Sequence, residues 1–103
     1  MLDKWAVITA ATNYAKAVQK EFSPDAIILF GSYTKGEARE ESDIDIAVVF
    51  NGFTGDWLKA SNRLWRLTED ISSYIEPILL DSTTDKSGFV SHIYKTGQII
   101  YQR

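Results

Sequence analysis

Residues 27–50 read IILFGSYTKGEAREESDIDIAVVF. An apolar run, Ile27 to Phe30, stops at Gly31-Ser32; ten residues intervene, and Asp43-Ile44-Asp45 then opens a second apolar run that ends at Phe50. The first run is short, continuous and bounded by glycine, and the second is rich in β-branched residues; both suit buried strands. Side chains alternate along a strand, so Asp43 and Asp45 share a face, with Cα atoms roughly 7 Å apart. Two carboxylates pointing the same way repel each other and resist desolvation, and a cation is the natural compensation. Oxygen-only ligands favour a hard ion, Mg²⁺ or Mn²⁺. Gly31 permits a tight turn and close backbone approach, while Ser32 offers a hydroxyl and an N-cap for a short helix beginning at residue 33. Exposed backbone N–H groups at such a turn attract phosphate. A phosphate cradle facing a divalent-metal site is what a nucleoside triphosphate requires.

Each part alone has a plainer reading. Gly-Ser is a common turn, and Asp-x-Asp at a strand end is often a solvated loop margin. The order is what is distinctive: strand, Gly-Ser, ten residues, Asp-Ile-Asp, strand. GSYTKGEAREESDID resembles the signature of the nucleotidyltransferase superfamily that includes DNA polymerase beta, and Lys35-Gly36-Glu37-Ala38-Arg39 with Ser42-Asp43-Ile44-Asp45 is close to its minimal nucleotidyltransferase branch. The resemblance implies that Gly31 and Ser32 hold the triphosphate and that Asp43 and Asp45 bind metal. Tyr33 departs from the arginine often found after Gly-Ser in related sequences. Lys35 and Arg39 are nucleotide-binding candidates, within reach of phosphate oxygens or, equally, of the neighbouring Glu37, Glu40 and Glu41.

Outward from this stretch, the composition sets limits. The chain has 103 residues, 45% of them hydrophobic, which fits one compact domain over residues 1–103 with an adequate core and little room for a second substrate-binding domain. There is no cysteine, hence no disulfide framework or thiolate metal site. Nothing at the start resembles a signal peptide or a membrane span, so a cytoplasmic location is expected. A formal net charge of -3 argues against a broad surface for duplex nucleic acid.

Before the motif, residues 4–22 predict an amphipathic helix with Trp5, Ile8, Ala11, Ala15, Val18 and Phe22 inward, Asp3 as its cap and Lys4, Lys16 and Lys20 solvated. Ser23-Pro24-Asp25 stops it. After the motif, Asn51 to Gly55 predicts a turn and Asp56 to about Ser73 a second helix, with Trp57, Leu64, Trp65, Leu67 and Ile71 on its apolar side. Tyr74 to Leu80 predicts a strand, and Asp81 to Ser87 a loop. A short helix carrying Phe89, Val90, Ile93 and Tyr94 then ends at Gly97, before an extended segment, Gln98 to Tyr101. His92, the single histidine, has no second histidine to build a site with and is assigned no role.

Glu76 needs explanation, because an unpaired charge inside an apolar strand is costly to bury. Pro77, which cannot donate to a ladder, places this strand at an edge, a bulge or a start. An exposed edge-strand glutamate is the plainer account. The resemblance supplies the other: superfamily members carry a third carboxylate on the strand beside the Asp-x-Asp pair, and Glu76 occupies that place as metal ligand or as general base.

The expected fold is α/β, a small mixed sheet with helices mainly on one face, as in the palm of polymerase beta. The expected function is Mg²⁺-dependent transfer of a nucleoside monophosphate, AMP from ATP, to a hydroxyl. The resemblance further implies an antitoxin whose acceptor is a HEPN-domain toxin partner. Two other readings stay open: transfer to a small molecule, and a non-catalytic module that binds nucleotide or occludes its partner.

Overall fold

The structure, a computed structural model, describes residues 4–31 and 43–103. In chain order these form helix α1 (Lys4–Glu21), strands β1 (Ala26–Phe30) and β2 (Ile44–Phe50), helix α2 (Trp57–Arg66), strand β3 (Ile75–Asp81), helix α3 (Phe89–Thr96) and strand β4 (Gln98–Gln102). The four strands make one sheet in the order β3-β2-β1-β4. β1 runs antiparallel to β2 and β4, and β2 runs parallel to β3, so the sheet is mixed as expected. Both apolar runs of the motif are central strands, which is why they read as continuous rather than alternating.

Alternation divides the strand residues between two cores. Ile27, Leu29, Ile44, Ile46, Val48, Ile75 and Leu79 pack with α1 and α2. Ala26, Ile28, Ala47 and Val49 pack with Val90 and Ile93 of α3 on the other face. Close approach of the chain before β4 depends on Gly97, where a Cβ would stand 2.6 Å from Ile28 Cγ2 and 2.8 Å from two backbone oxygens.

Three tryptophan assignments change. α1 buries Val7, Ala11, Tyr14, Ala15 and Val18, whereas Trp5 is 79% exposed. A helix turning about 100° per residue puts Trp5 well off the stripe that runs through Val7, Ala11 and Val18. Tyr14 takes the core place because its hydroxyl is satisfied, donating to the Leu64 carbonyl at 2.7 Å. Burial pushes the Tyr14 phenol up. Tyr14→Phe leaves that carbonyl unpaired at the α1/α2 contact and should cost about 1–2 kcal/mol. Urea denaturation, with the slope unchanged, measures it.

α2 is shorter than the predicted span to Ser73. Its start is the expected one, Asp56 accepting from Lys59 N, but after Arg66 the chain tightens: Thr68 N and Thr68 Oγ1 both donate to the Trp65 carbonyl, at 3.1 and 2.7 Å, and Glu69 N to Arg66 O at 3.1 Å. A threonine hydroxyl competing for the carbonyl ends the regular ladder. Ala60 and Leu64 are buried, with Leu67 and Ile71 packed against their cluster; Trp57 and Trp65 are 45% and 48% exposed, not core. Trp57 meets the edge of Phe53 at 5.3 Å between ring centroids.

β3 is an edge strand, where Pro77 is tolerated. It extends to Asp81, whose carboxylate accepts from Gly52 N, Phe53 N, Thr83 N and Thr83 Oγ1 at 2.6–3.1 Å. The bonds from the Thr83 hydroxyl, then from the Phe53 and Thr83 amides, hold Asp81 down to about 2 from an ordinary 3.8. A depressed carboxylate stabilises the fold above its unfolded pKa, and that contribution disappears as pH falls through the folded value. Asp81→Asn should therefore melt lower than the unsubstituted chain at pH 5, and the gap should close between about pH 4 and 2. Thermal melts across that window test the sign.

Candidate functional site

The acidic residues of the motif meet at one end of the sheet. β1/β2 pairing sets Phe30 opposite Asp45, and β2/β3 pairing sets Asp45 opposite Glu76. Phe30, Asp45 and Glu76 thus form one row across three strands, on the face that carries α3. Asp43 lies just before β2, exposed, on the same side by alternation. The strand after α2 places Glu76 where the resemblance expected a third carboxylate. It is also exposed and on an edge, so the plainer reading of its position holds as well.

The carboxylates feel one another. Burial, then the charge of Asp43, raises Asp45 above the ordinary carboxylate range. Glu76 is raised too, by partial loss of hydration, by the charges of Asp43 and Asp45, and by a hydrogen bond with Asp43. Such a group binds a proton or a cation more readily than isolated acids do.

Gly31 fixes the near wall. Its φ is +84°, a conformation that favours glycine, and a Cβ there would fall on Asp45 Oδ2, with Cγ at 3.1 Å. A side chain at this position would require the Asp45 carboxylate to shift. Ser32, Lys35 and Arg39, the other proposed nucleotide contacts, and the short helix expected after residue 33 lie outside the described residues, as does Asp3.

The site also has an aromatic flank that sequence reading did not single out. Phe30, beside Asp45, meets Phe89 at the start of α3 edge-on, with ring centroids 5.9 Å apart. Its position one residue before Gly31 was a signal; its contact with a helix sixty residues away was not. His92 is exposed on α3.

Among the described residues no group of three or more His, Cys, Asp or Glu side chains is placed so that it could hold a metal ion. The row nonetheless offers carboxylate oxygen alone, and its mutual repulsion is what a hard cation relieves. In donor chemistry the residues fit Mg²⁺. Among the same residues no helix is long and apolar enough to cross a membrane.

Comparison with known proteins agrees with this geometry. Residues 13–103 match the family described as "Polymerase beta, Nucleotidyltransferase". Protein adenylyltransferase MntA of Thermococcus cleftensis is 40% identical over 50 residues, covering 48% of this chain and 50% of the relative, so the chain spans about half the length of that protein. A Methanocaldococcus jannaschii protein, provisionally named protein adenylyltransferase MJ1379, is 47% identical over 78 residues, covering 73% of this chain and 71% of that one. A crystal structure of a toxin–antitoxin with AMP-PNP superposes with a TM-score of 0.67 at 26% identity, covering 89% of this chain and 73% of that one. Gly31, Asp43, Asp45 and Glu76 all fall within the matched residues, and the chain belongs to the polymerase beta-type nucleotidyltransferase family, in its minimal nucleotidyltransferase branch.

Proposed function

We propose that the chain transfers AMP from ATP to a hydroxyl of a HEPN-type toxin partner and so acts as a cytoplasmic antitoxin. The observation that carries this is the row of Asp45 and Glu76 with Asp43 beside it, against a glycine whose Cβ would displace the Asp45 carboxylate. The relatives' names, protein adenylyltransferase, and the toxin–antitoxin structure with AMP-PNP support the nucleotide and the partner.

Asp43, Asp45 and Glu76 would hold Mg²⁺. When bound, the ion neutralises triphosphate charge and aligns the α-phosphorus. Gly31 and Ser32 anchor the β and γ phosphates, aided by Lys35 and Arg39. Where Glu76 is not a ligand of that ion, it accepts the proton of the incoming hydroxyl as general base. The hydroxyl oxygen bonds to the α-phosphorus, the bond from that phosphorus to the bridging oxygen breaks, and pyrophosphate leaves.

Co-expression with the toxin tests the reading. Catalytic neutralisation predicts that Asp43→Asn with Asp45→Asn abolishes growth rescue although the chain is still made and folded. Rescue by that variant would mean that the chain neutralises by occlusion alone.

A further inference from the structure

We propose that Ile78 and Tyr74, which bracket Glu76 in sequence at the sheet edge, form the surface that receives the protein acceptor and packs against apolar side chains around its hydroxyl. This rests on the transfer reading above and adds the direction and chemistry of acceptor approach.

The direction follows from in-line displacement, in which attacking and leaving oxygens stand on opposite sides of the phosphorus. Gly31, where the triphosphate cradle begins, ends β1, on one side of Asp45. Leaving pyrophosphate belongs there. The attacking oxygen must then come from the β3 side, and β3 is the last strand on that side.

The chemistry follows from what stands at that edge. Ile78 is two residues beyond Glu76 on the same face, in register with Ala47. α3 covers Ala47 and Val49 completely but leaves Ile78 37% exposed. Tyr74, just before β3, is tied by its carbonyl to Ile44 N at 2.7 Å, beside Asp43, and is 39% exposed. Two large apolar side chains thus stand partly uncovered, one on each side of an acid. Pro77 between them lacks an N–H, so an added strand would miss a donor here, and side chains must carry recognition. A polycationic sugar would gain from Glu76 and from the Tyr74 ring but nothing from Ile78; a protein surface with apolar side chains covers both.

The test compares acceptor KM, kcat and ATP-analogue affinity for Ile78→Ser, Tyr74→Ser, Ile78→Val and Tyr74→Phe. The acceptors are the HEPN-domain protein of the same source and, as the polycationic sugar, kanamycin. Ile78→Ser should raise the protein-acceptor KM about tenfold with nucleotide affinity unchanged, and Ile78→Val should restore it to within about twofold. Tyr74→Ser should raise the same KM, and Tyr74→Phe restore it. An unchanged acceptor KM in both serine variants overturns the proposal, as does a parallel loss of nucleotide affinity or a preference for kanamycin. Transfer to neither acceptor by the unsubstituted chain overturns the transfer reading itself, and this surface with it.

Discussion

A chain carrying Asp43→Asn and Asp45→Asn should transfer no measurable nucleotide and yet melt at a higher temperature than the unsubstituted protein. Both halves come from the same electrostatics. Asp45 is held against its preferred charge by burial and by Asp43, and Glu76 by partial loss of hydration and by both aspartates. A carboxylate whose folded pKa is raised stabilises most when protonated, and that contribution is lost as pH rises through the folded value. At neutral pH the ionised cluster is therefore a strain on the fold, which neutral asparagines of the same shape remove. The same amides cannot balance a divalent ion or the triphosphate. Several kcal/mol of transition-state charge stabilisation goes with them, and at about 1.4 kcal/mol per factor of ten the rate should fall at least about 10³-fold. Differential scanning fluorimetry and label transfer on the same preparation make the check. Activity and melting temperature falling together would mean that the aspartates hold the fold rather than the chemistry.

Gly31→Ala is the second large effect, and a control separates its two causes. The backbone at φ +84° costs an alanine about 1–2 kcal/mol. The methyl group must also displace the Asp45 carboxylate, and a misplacement near 1 Å is enough for a loss of about 10²-fold in rate. Gly88 has φ +77°, and a Cβ there meets nothing within 4 Å among the described residues. Gly88→Ala therefore reports the backbone cost alone. The expected pattern is two variants of similar reduced stability, of which only Gly31→Ala loses transfer. Equal transfer in the two would show that Asp45 has freedom the packing denies it.

The strands of the motif were legible because the information is local. Ile27 to Phe30 and Ile44 to Phe50 are bounded by their own turn residues and buried on both faces, and the observed β2 matches the predicted bounds. The position of Asp43 and Asp45 on one face follows from alternation alone. Their neighbour Glu76 does not: the parallel register that sets it beside Asp45 joins segments thirty residues apart through α2, and only family resemblance pointed to it. The tryptophans failed for a related reason. Trp5, Trp57 and Trp65 are apolar enough for a core, but which stripe of a helix is buried is decided by the sheet beneath it, and α1 chose Tyr14 because Leu64 offers its hydroxyl an acceptor. The early end of α2 depends on one side-chain competition, Thr68 for the Trp65 carbonyl, that periodicity does not register.

The central claim is that the Asp45–Glu76 row, with Asp43 and Gly31, moves a nucleotidyl group and not a phosphoryl group. Incubating the chain with Mg²⁺, the HEPN-domain protein and ATP labelled in parallel at the α or the γ phosphorus decides it. The α label should become covalently attached to the partner while the γ label leaves as pyrophosphate. Label on the partner from the γ position, or from neither position despite tight binding of the two proteins, would contradict it.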